Sequence, residues 1–267
     1  MNSLEAVIFD WAGTTVDHGS LAPVKAITEL FCRNGVPVKD EDARRDMGIY
    51  KKDHIRRILQ LRHVETKWSD VHGHKPGEDD VDRLFAEFLP LQTELLVLHS
   101  GLIGGVAETA DRLRSRGLKI ASTTGYTRPM LDILADCAVK EGYRPEISLC
   151  PDDVGGGRPL PWMCLRIALE LRLSATAAAV KVGDTVSDIE EARNAGMWAV
   201  GVSGTGNGVG LSAEDLKALP AHERKLLVEN ATDTLERAGA HFVVHSAADI
   251  ELVIENIESL LAAGKRP

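Results

Sequence analysis

The chain has 267 residues, 44% of them hydrophobic and 27% charged, an ordinary composition for a globular chain. Folding at this length removes roughly three quarters of the unfolded surface, so a large core forms without disulfides. The 31 Lys and Arg against 40 Asp and Glu give a net charge of −9, which argues against a nucleic-acid binder, because neutralising phosphates needs a dense basic face. A small anionic substrate needs only a few focused cations and stays compatible with that balance.

Cys32, Cys137, Cys150 and Cys164 form no C-x-x-C pair and show no metal-type spacing with histidine, which points to free thiols in a reducing compartment. Met1–Phe9 carries Glu5 and an apolar run of only Ala6–Phe9, so no signal peptide is expected. The longest charge-free stretch, Asn194–Ala213, contains six glycines and reads as strand plus loop rather than a membrane span. A cytoplasmic protein with no membrane partner is expected.

In chain order, Leu4–Phe9 is a short apolar run ending at Asp10, as in a strand buried on both faces of a parallel sheet. Comparable runs lie at Lys119–Thr123, Ala178–Val182, Met197–Val202 and Phe242–Val244. Helical patterns fall between them at Val106–Arg116, Pro129–Glu141, Met163–Leu171 and Asp188–Ala195. The alternation predicts βαβ units in a doubly wound parallel sheet of the Rossmann-like α/β class, with ligands bound beyond the strands' carboxyl ends. Residues 21–98 break the alternation: several helical patterns and no strand run. They predict a helical cap inserted after the first strand, leaving 1–20 and 99–267 as the core domain. The polar middle of the cap, Val64–Asp80, reads as a loop. Within it His72-x-His74 offers half a metal site at most, with no further ligand nearby.

Four segments carry candidate chemistry. Asp10-Trp11-Ala12-Gly13-Thr14-Thr15 puts a carboxylate at a strand end before a Gly-Thr turn, as either a nucleophile or a turn cap. Gly183-Asp184-Thr185-Val186-Ser187-Asp188 places two acids four apart at another strand end. With Asp10 they make an oxygen cluster suited to Mg²⁺, although acids at a helix start are favoured in any case. Ser122-Thr123-Thr124-Gly125-Tyr126 offers hydroxyl and N–H groups to a phosphate, or a simple helix cap. Gly155-Gly156-Gly157-Arg158-Pro159 presents a cation from a Gly-rich loop; a surface arginine is the plain alternative. The run Gly204-x-Gly206-x-Gly208-x-Gly210 fails the G-x-G-x-x-G dinucleotide spacing and reads as a loop.

In this order the four segments resemble the motifs of the haloacid dehalogenase superfamily of aspartate-nucleophile enzymes, whose cap inserts where residues 21–98 lie. Ala12 departs from its phosphatases, which carry there the aspartate that protonates a leaving alkoxide, and Arg158 stands for the usual lysine. On the cap helix leading from Met47 to about Leu61, Lys51 falls near the centre of the apolar arc of Ile55, Ile58, Leu59 and Leu61, at about 100° per residue. Burial lowers a lysine's pKa toward a nucleophilic amine able to form a Schiff base; a lysine snorkelling from the helix start is the alternative.

With Ala12, Met47-Gly48, Lys51, Asp53-His54, Thr123–Arg128, Gly157-Arg158-Pro159 and Val182–Thr185, the chain is similar to the phosphonatase family of that superfamily. Ser20 stands where a cysteine is usual there, and Leu160 where an aromatic is common. The resemblance implies cleavage of the C–P bond of phosphonoacetaldehyde, with Lys51 as Schiff-base residue and Asp10 as nucleophile. It also implies Mg²⁺ on Asp10, the Ala12 carbonyl and Asp184, with Asp188 behind them. Met47, His54, Thr124, Gly125, Tyr126 and Arg158 would contact the substrate, and a homodimer through the cap is expected by analogy. A phosphate-ester phosphatase, a haloacid dehalogenase and a catalytically dead binding module are the alternatives.

Overall fold

The computed structural model describes residues 3–267. Met1 and Asn2, part of the segment read as lacking a signal peptide, lie outside the described residues. Six strands form one sheet in the order β3-β2-β1-β4-β5-β6, every neighbouring pair parallel. The strands are β1 Ala6–Phe9, β2 Lys119–Thr123, β3 Ile147–Leu149, β4 Ala179–Gly183, β5 Trp198–Val202 and β6 Phe242–Val244. All four residues of β1 are buried, as its unbroken apolar run requires between two helical layers. Strand order reverses direction at β1, the topological switch point where such sheets bind ligands.

Between β1 and β2 come α1 Leu21–Arg33, α2 Asp40–Arg44, α3 Lys51–Leu59, α4 Arg62–His72, α5 Glu78–Leu98 and α6 Val106–Ser115. The remaining helices are α7 Arg128–Lys140, α8 Pro151–Val154, α9 Trp162–Glu170, α10 Val186–Asn194, α11 Ala213–Ala218, α12 Ala221–Arg237 and α13 Glu251–Ala262. The helical insertion α1–α5 and the sheet share one apolar cluster, running from Val7 and Phe9 through Ile27 and Leu30 to Ile58 and Trp68. Among the described residues no helix is long and apolar enough to cross a membrane.

The parallel doubly wound sheet follows the sequence expectation, but the Gly204–Gly210 run, read as preceding no clear helix, leads into α11 and α12, and two further differences stand beside this one. β3 has only three residues, Ile-Ser-Leu, too short to show a period. The segment Val64–Asp80 is not a loop: α4 runs through His72 and α5 starts at Glu78, leaving only Gly73–Gly77 irregular. Its apolar face consists of Val64 and Trp68, one turn apart and both buried among polar neighbours. That pair is too sparse to raise an amphipathic signal, yet Trp68 fixes the helix by burial, with His72 stacked on it at 4.1 Å between centroids. His72 therefore packs against the indole, and its Nε2 lies 3.1 Å from the Asn34 carbonyl.

Trp68→Ala should lower the unfolding free energy by about 3–5 kcal/mol, the usual range for emptying a buried aromatic site. Urea denaturation would read it as a lower midpoint at unchanged slope. A loss below about 1 kcal/mol would show that α4 does not depend on the buried indole.

Candidate active site

Asp10 follows β1, Thr124 follows β2, and Asp184 follows β4. These three strands are adjacent, with Phe9 in register with both Ser122 and Val182. Parallel pairing thus brings three segments distant in sequence to one edge of the sheet. Asp17 contributes to the β1 side by capping α1, accepting from the N–H groups of Leu21 at 3.0 Å and Ala22 at 2.9 Å.

One small cavity collects eight of the expected residues: Asp10, Ala12, Met47, Lys51, Thr124, Gly125, Tyr126 and Arg158 all line it. Ser20 lines it as well, in a left-handed backbone conformation with φ 51°. Leu160 is instead 41% exposed. Gly125 is required by the closeness of the two layers, because a Cβ there would lie 2.5 Å from the carbonyl oxygens of Gly48 and Ile49. His54 is fully buried one turn beyond Lys51 on α3. Burial first, then the Lys51 charge, push its pKa well below the usual histidine value, so it is neutral.

Arg158 is the hub of the sheet side. It donates from Nη2 to Asp10 at 2.8 Å, pairs through Nη1 with Asp188 at 3.0 Å, and binds Glu191 through Nε at 2.8 Å. Nη2 also donates to Thr123 Oγ1 at 2.7 Å. Burial alone would depress its pKa, but Asp188, Asp10 and Glu191 hold it well above the ordinary value. Lys181 donates to Asp188 at 2.6 Å. Burial would raise Asp188, yet Arg158 and Lys181 keep it below the usual carboxylate range.

Asp10 is pushed up to about 6, by burial and then by the charge of Asp188, with Arg158 and Lys181 opposing. Asp184 is raised well above its ordinary value by burial, Asp10 and Asp188. It accepts from Thr14 Oγ1 at 3.1 Å and from the Asn207 N–H at 2.6 Å. Oxygen atoms of Asp10, Asp184 and Asp188 lie within 4.8 Å of one another. Three mutually repelling buried carboxylates form a hard-donor set of the kind that fits a small divalent cation. Asp188, already held by Lys181, Arg158 and Thr185 Oγ1 at 2.5 Å, is the least free of the three to ligate.

Facing this acidic edge, Lys51 is 2% exposed at the start of α3. Its Nζ approaches Met47 Sδ at 3.5 Å and sits 5.4 Å from the centre of the Tyr126 ring. Burial lowers its pKa to about 8, against the Asp10 charge and with help from Arg158. Lys52 instead pairs with Asp82 at 2.5 Å with its side chain 31% exposed. The apolar arc thus does turn Lys51 inward.

Sequence reasoning missed Lys181, Glu191 and Thr123 as members of the charge network. A lysine inside the apolar run Ala178–Val182 was itself a signal, because an unpaired ammonium does not survive at such a position. Glu191 lies one turn after Asp188 on the same face of α10. Asn207 carried no signal, since its role depends on the path of the loop after β5.

Folded Lys51 releases its proton near 8, whereas the unfolded residue holds it to about 10.5. The unfolded state therefore binds more protons between those values, and this site makes stability rise with pH across that window. Below it the buried ammonium costs on the order of 3 kcal/mol. Lys51→Met should raise the unfolding free energy at pH 7 and remove that part of the slope. Equal stability and an unchanged pH profile in denaturant titrations would contradict the lowered lysine pKa.

Comparison with known proteins agrees with this geometry. A family model for haloacid dehalogenase-like hydrolases matches residues 4–196. A phosphonoacetaldehyde hydrolase of Nitratidesulfovibrio vulgaris is 44% identical over 264 residues, covering 99% of this chain and 94% of the relative. That of Hahella chejuensis is 44% identical over 99% of this chain and 90% of its own length. The crystal structure of a phosphonoacetaldehyde hydrolase-like protein from Oleispira antarctica superposes with a TM-score of 0.97 at 43% identity, over 99% of this chain and 96% of that one. A full-length match at this identity, on a sheet whose strand ends carry Asp10, Thr124 and Asp184, means that the chain belongs to the haloacid dehalogenase-like hydrolases and, within them, to the phosphonoacetaldehyde hydrolase family.

Proposed function

We propose that the chain hydrolyses the carbon–phosphorus bond of phosphonoacetaldehyde, giving acetaldehyde and phosphate. The observation that carries this reading is Lys51: a buried lysine with its pKa lowered to about 8, lining one cavity with Asp10 and with Ala12. A phosphatase reading needs an acid for its alkoxide, and the methyl of Ala12 supplies none. A carbon leaving group needs an electron sink instead, and an iminium on Lys51 is one.

In this mechanism the neutral Lys51 amine condenses with the aldehyde, takes up one proton and releases water, leaving an iminium. A carboxylate oxygen of Asp10 attacks phosphorus, and the C–P bond pair flows into the iminium to leave an enamine. Water then hydrolyses the aspartyl phosphate to phosphate. The enamine takes a proton on carbon, and hydrolysis of the resulting iminium frees acetaldehyde, a proton and the Lys51 amine. Arg158 and Thr124 hold phosphoryl oxygens, while Met47, Gly125 and Tyr126 wall the two-carbon end. His54, neutral and one turn from Lys51, has no charge to set against the ammonium. Asp10, the Ala12 carbonyl and Asp184 would hold Mg²⁺, with Asp188 behind them, and the cation supplies charge neutralisation for the phosphoryl group.

We read residues 21–98 as a cap over a core of 1–20 and 99–267, supported by the five helices α1–α5 and their cavity contacts. A cytoplasmic setting is supported by the four free cysteines. A homodimer through the cap remains part of the reading by likeness to the family, with a phosphonate as the small-molecule partner.

Borohydride reduction with acetaldehyde should inactivate the enzyme and attach a two-carbon adduct to Lys51, not Lys52. Trapping should increase as pH rises through about 8, because only the deprotonated amine condenses. Lys51→Arg should show neither adduct nor turnover, since a guanidinium stays protonated. Asp10→Asn should still trap the aldehyde while losing phosphate release by a factor of about 10³ or more. An active Lys51→Arg enzyme without adduct in the wild type would leave only the superfamily assignment.

A further inference from the structure

The loop Gly204–Gly210, which follows β5, lies against the acidic edge. A Cβ at Gly206 would come within 2.3 Å of the Asp184 Cβ, so only glycine lets the loop pass there. Its first half is tied to the sheet side: Gly204 N–H donates to the His245 carbonyl at 2.8 Å, and Thr205 Oγ1 to the Gly13 carbonyl at 2.9 Å. The second half is held from the helical insertion. Arg44, at the end of α2, donates through Nη1 to Asn207 Oδ1 at 3.1 Å and through Nη2 to the Gly210 carbonyl at 3.0 Å. Nη1 also donates to the Gly19 carbonyl at 2.9 Å. Asn207 returns a bond from Nδ2 to the Arg44 carbonyl at 3.1 Å.

The same residue, Asn207, donates its backbone N–H to Asp184 Oδ2 at 2.6 Å. A chain of hydrogen bonds therefore runs from the insertion through Arg44 and Asn207 to a carboxylate of the candidate cation site. The cavity itself measures about 20 Å³, room for about one water, too little for a phosphonate unless its walls move. The bonds made by Arg44 cross the junction between insertion and sheet, so any movement of the insertion away from the sheet would break them.

We infer that Arg44 and Asn207 are a latch: docking of the helical insertion sets the loop, and the loop sets Asp184 for its cation. Both are positioning residues, touching neither substrate nor the reacting atoms. The inference rests on the cation role proposed above for Asp184. It makes cation affinity depend on a contact made by the insertion, so that the site is complete only when the insertion is docked. Outer partners of ligating carboxylates typically govern affinity by tenfold or more.

Calorimetric titration of Mg²⁺ alone, without substrate, into the full chain tests this. Arg44→Ala and Asn207→Ala should each raise the Mg²⁺ dissociation constant about tenfold or more. Asn207→Ala keeps the backbone N–H, so a loss there reports the side-chain clamp. The double variant should be no worse than the weaker single, because both changes break one chain. Acetaldehyde trapping at Lys51 should proceed in all of them, as it needs no cation. Absence of trapping in the wild type would sink the phosphonatase reading while leaving the latch to stand or fall on the titration. Affinities within twofold of wild type in both singles, or losses that add in the double, would overturn the latch. Should Arg44→Ala not fold, Arg44→Lys, which keeps the charge without the fork, carries the same expectation.

Discussion

Arg158 binds three carboxylates at once from a side chain only 1% exposed. Without it, Asp10, Asp188 and Glu191 would sit buried together with Lys181 pairing only Asp188 and Glu191. Buried carboxylates that are not paired take up protons rather than remain charged. A protonated Asp10 could not serve as the proposed nucleophile, and the arginine that pairs it favours its ionised form. A lysine at that position would offer one point charge, whereas the fork reaches Asp10, Asp188 and Glu191 in different directions.

The architecture around the network follows from its needs. Parallel strands end on the same side, which lets β1, β2 and β4 each deliver one polar group to a single edge. The switch at β1 leaves that edge open to a covering element, and the helices after β1 provide it. Close approach of the two layers then demands residues without side chains, as at Gly125 beneath Gly48 and Ile49. Contacts across the junction, such as Ser187 Oγ donating to the Met47 carbonyl at 3.1 Å, orient the turn that leads into α3 and Lys51.

What the sequence reveals divides by the range of the interaction. Strand runs and the strand-end acids are local patterns, and β2 and β6 end where the apolar runs end. Lys51 was legible because a helix repeats at fixed angle, which put it on the apolar arc of Ile55 and Ile58, and because Ala12 left a need for another activating group; the arc alone also allowed a snorkelling lysine. The α4 helix was not, because Val64 and Trp68 alone carry its buried face and only the tertiary site gives their burial value. Glu191 left only its spacing from Asp188 as a signal, and Asn207 left none, for a different reason. Each acts through partners distant in sequence, Arg158 and Thr123 for Glu191, Arg44 and Asp184 for Asn207, and no periodicity encodes a pairing across the fold.

Burial acts on the two proposed reacting groups in opposite senses. It raises Asp10 to about 6 and lowers Lys51 to about 8, drawing an acid and a base toward neutrality from either side. At pH 7 the carboxylate is then mostly ionised, and about a tenth of the lysine is the free amine. More burial would protonate the nucleophile as it freed the amine, and less would do the reverse. The fixed charges relieve that conflict, because each one can shift the two groups differently. Arg158 lowers both values, favouring carboxylate and free amine together. One arginine whose charge acts on both an acidic edge and a buried lysine thus achieves what no uniform environment can.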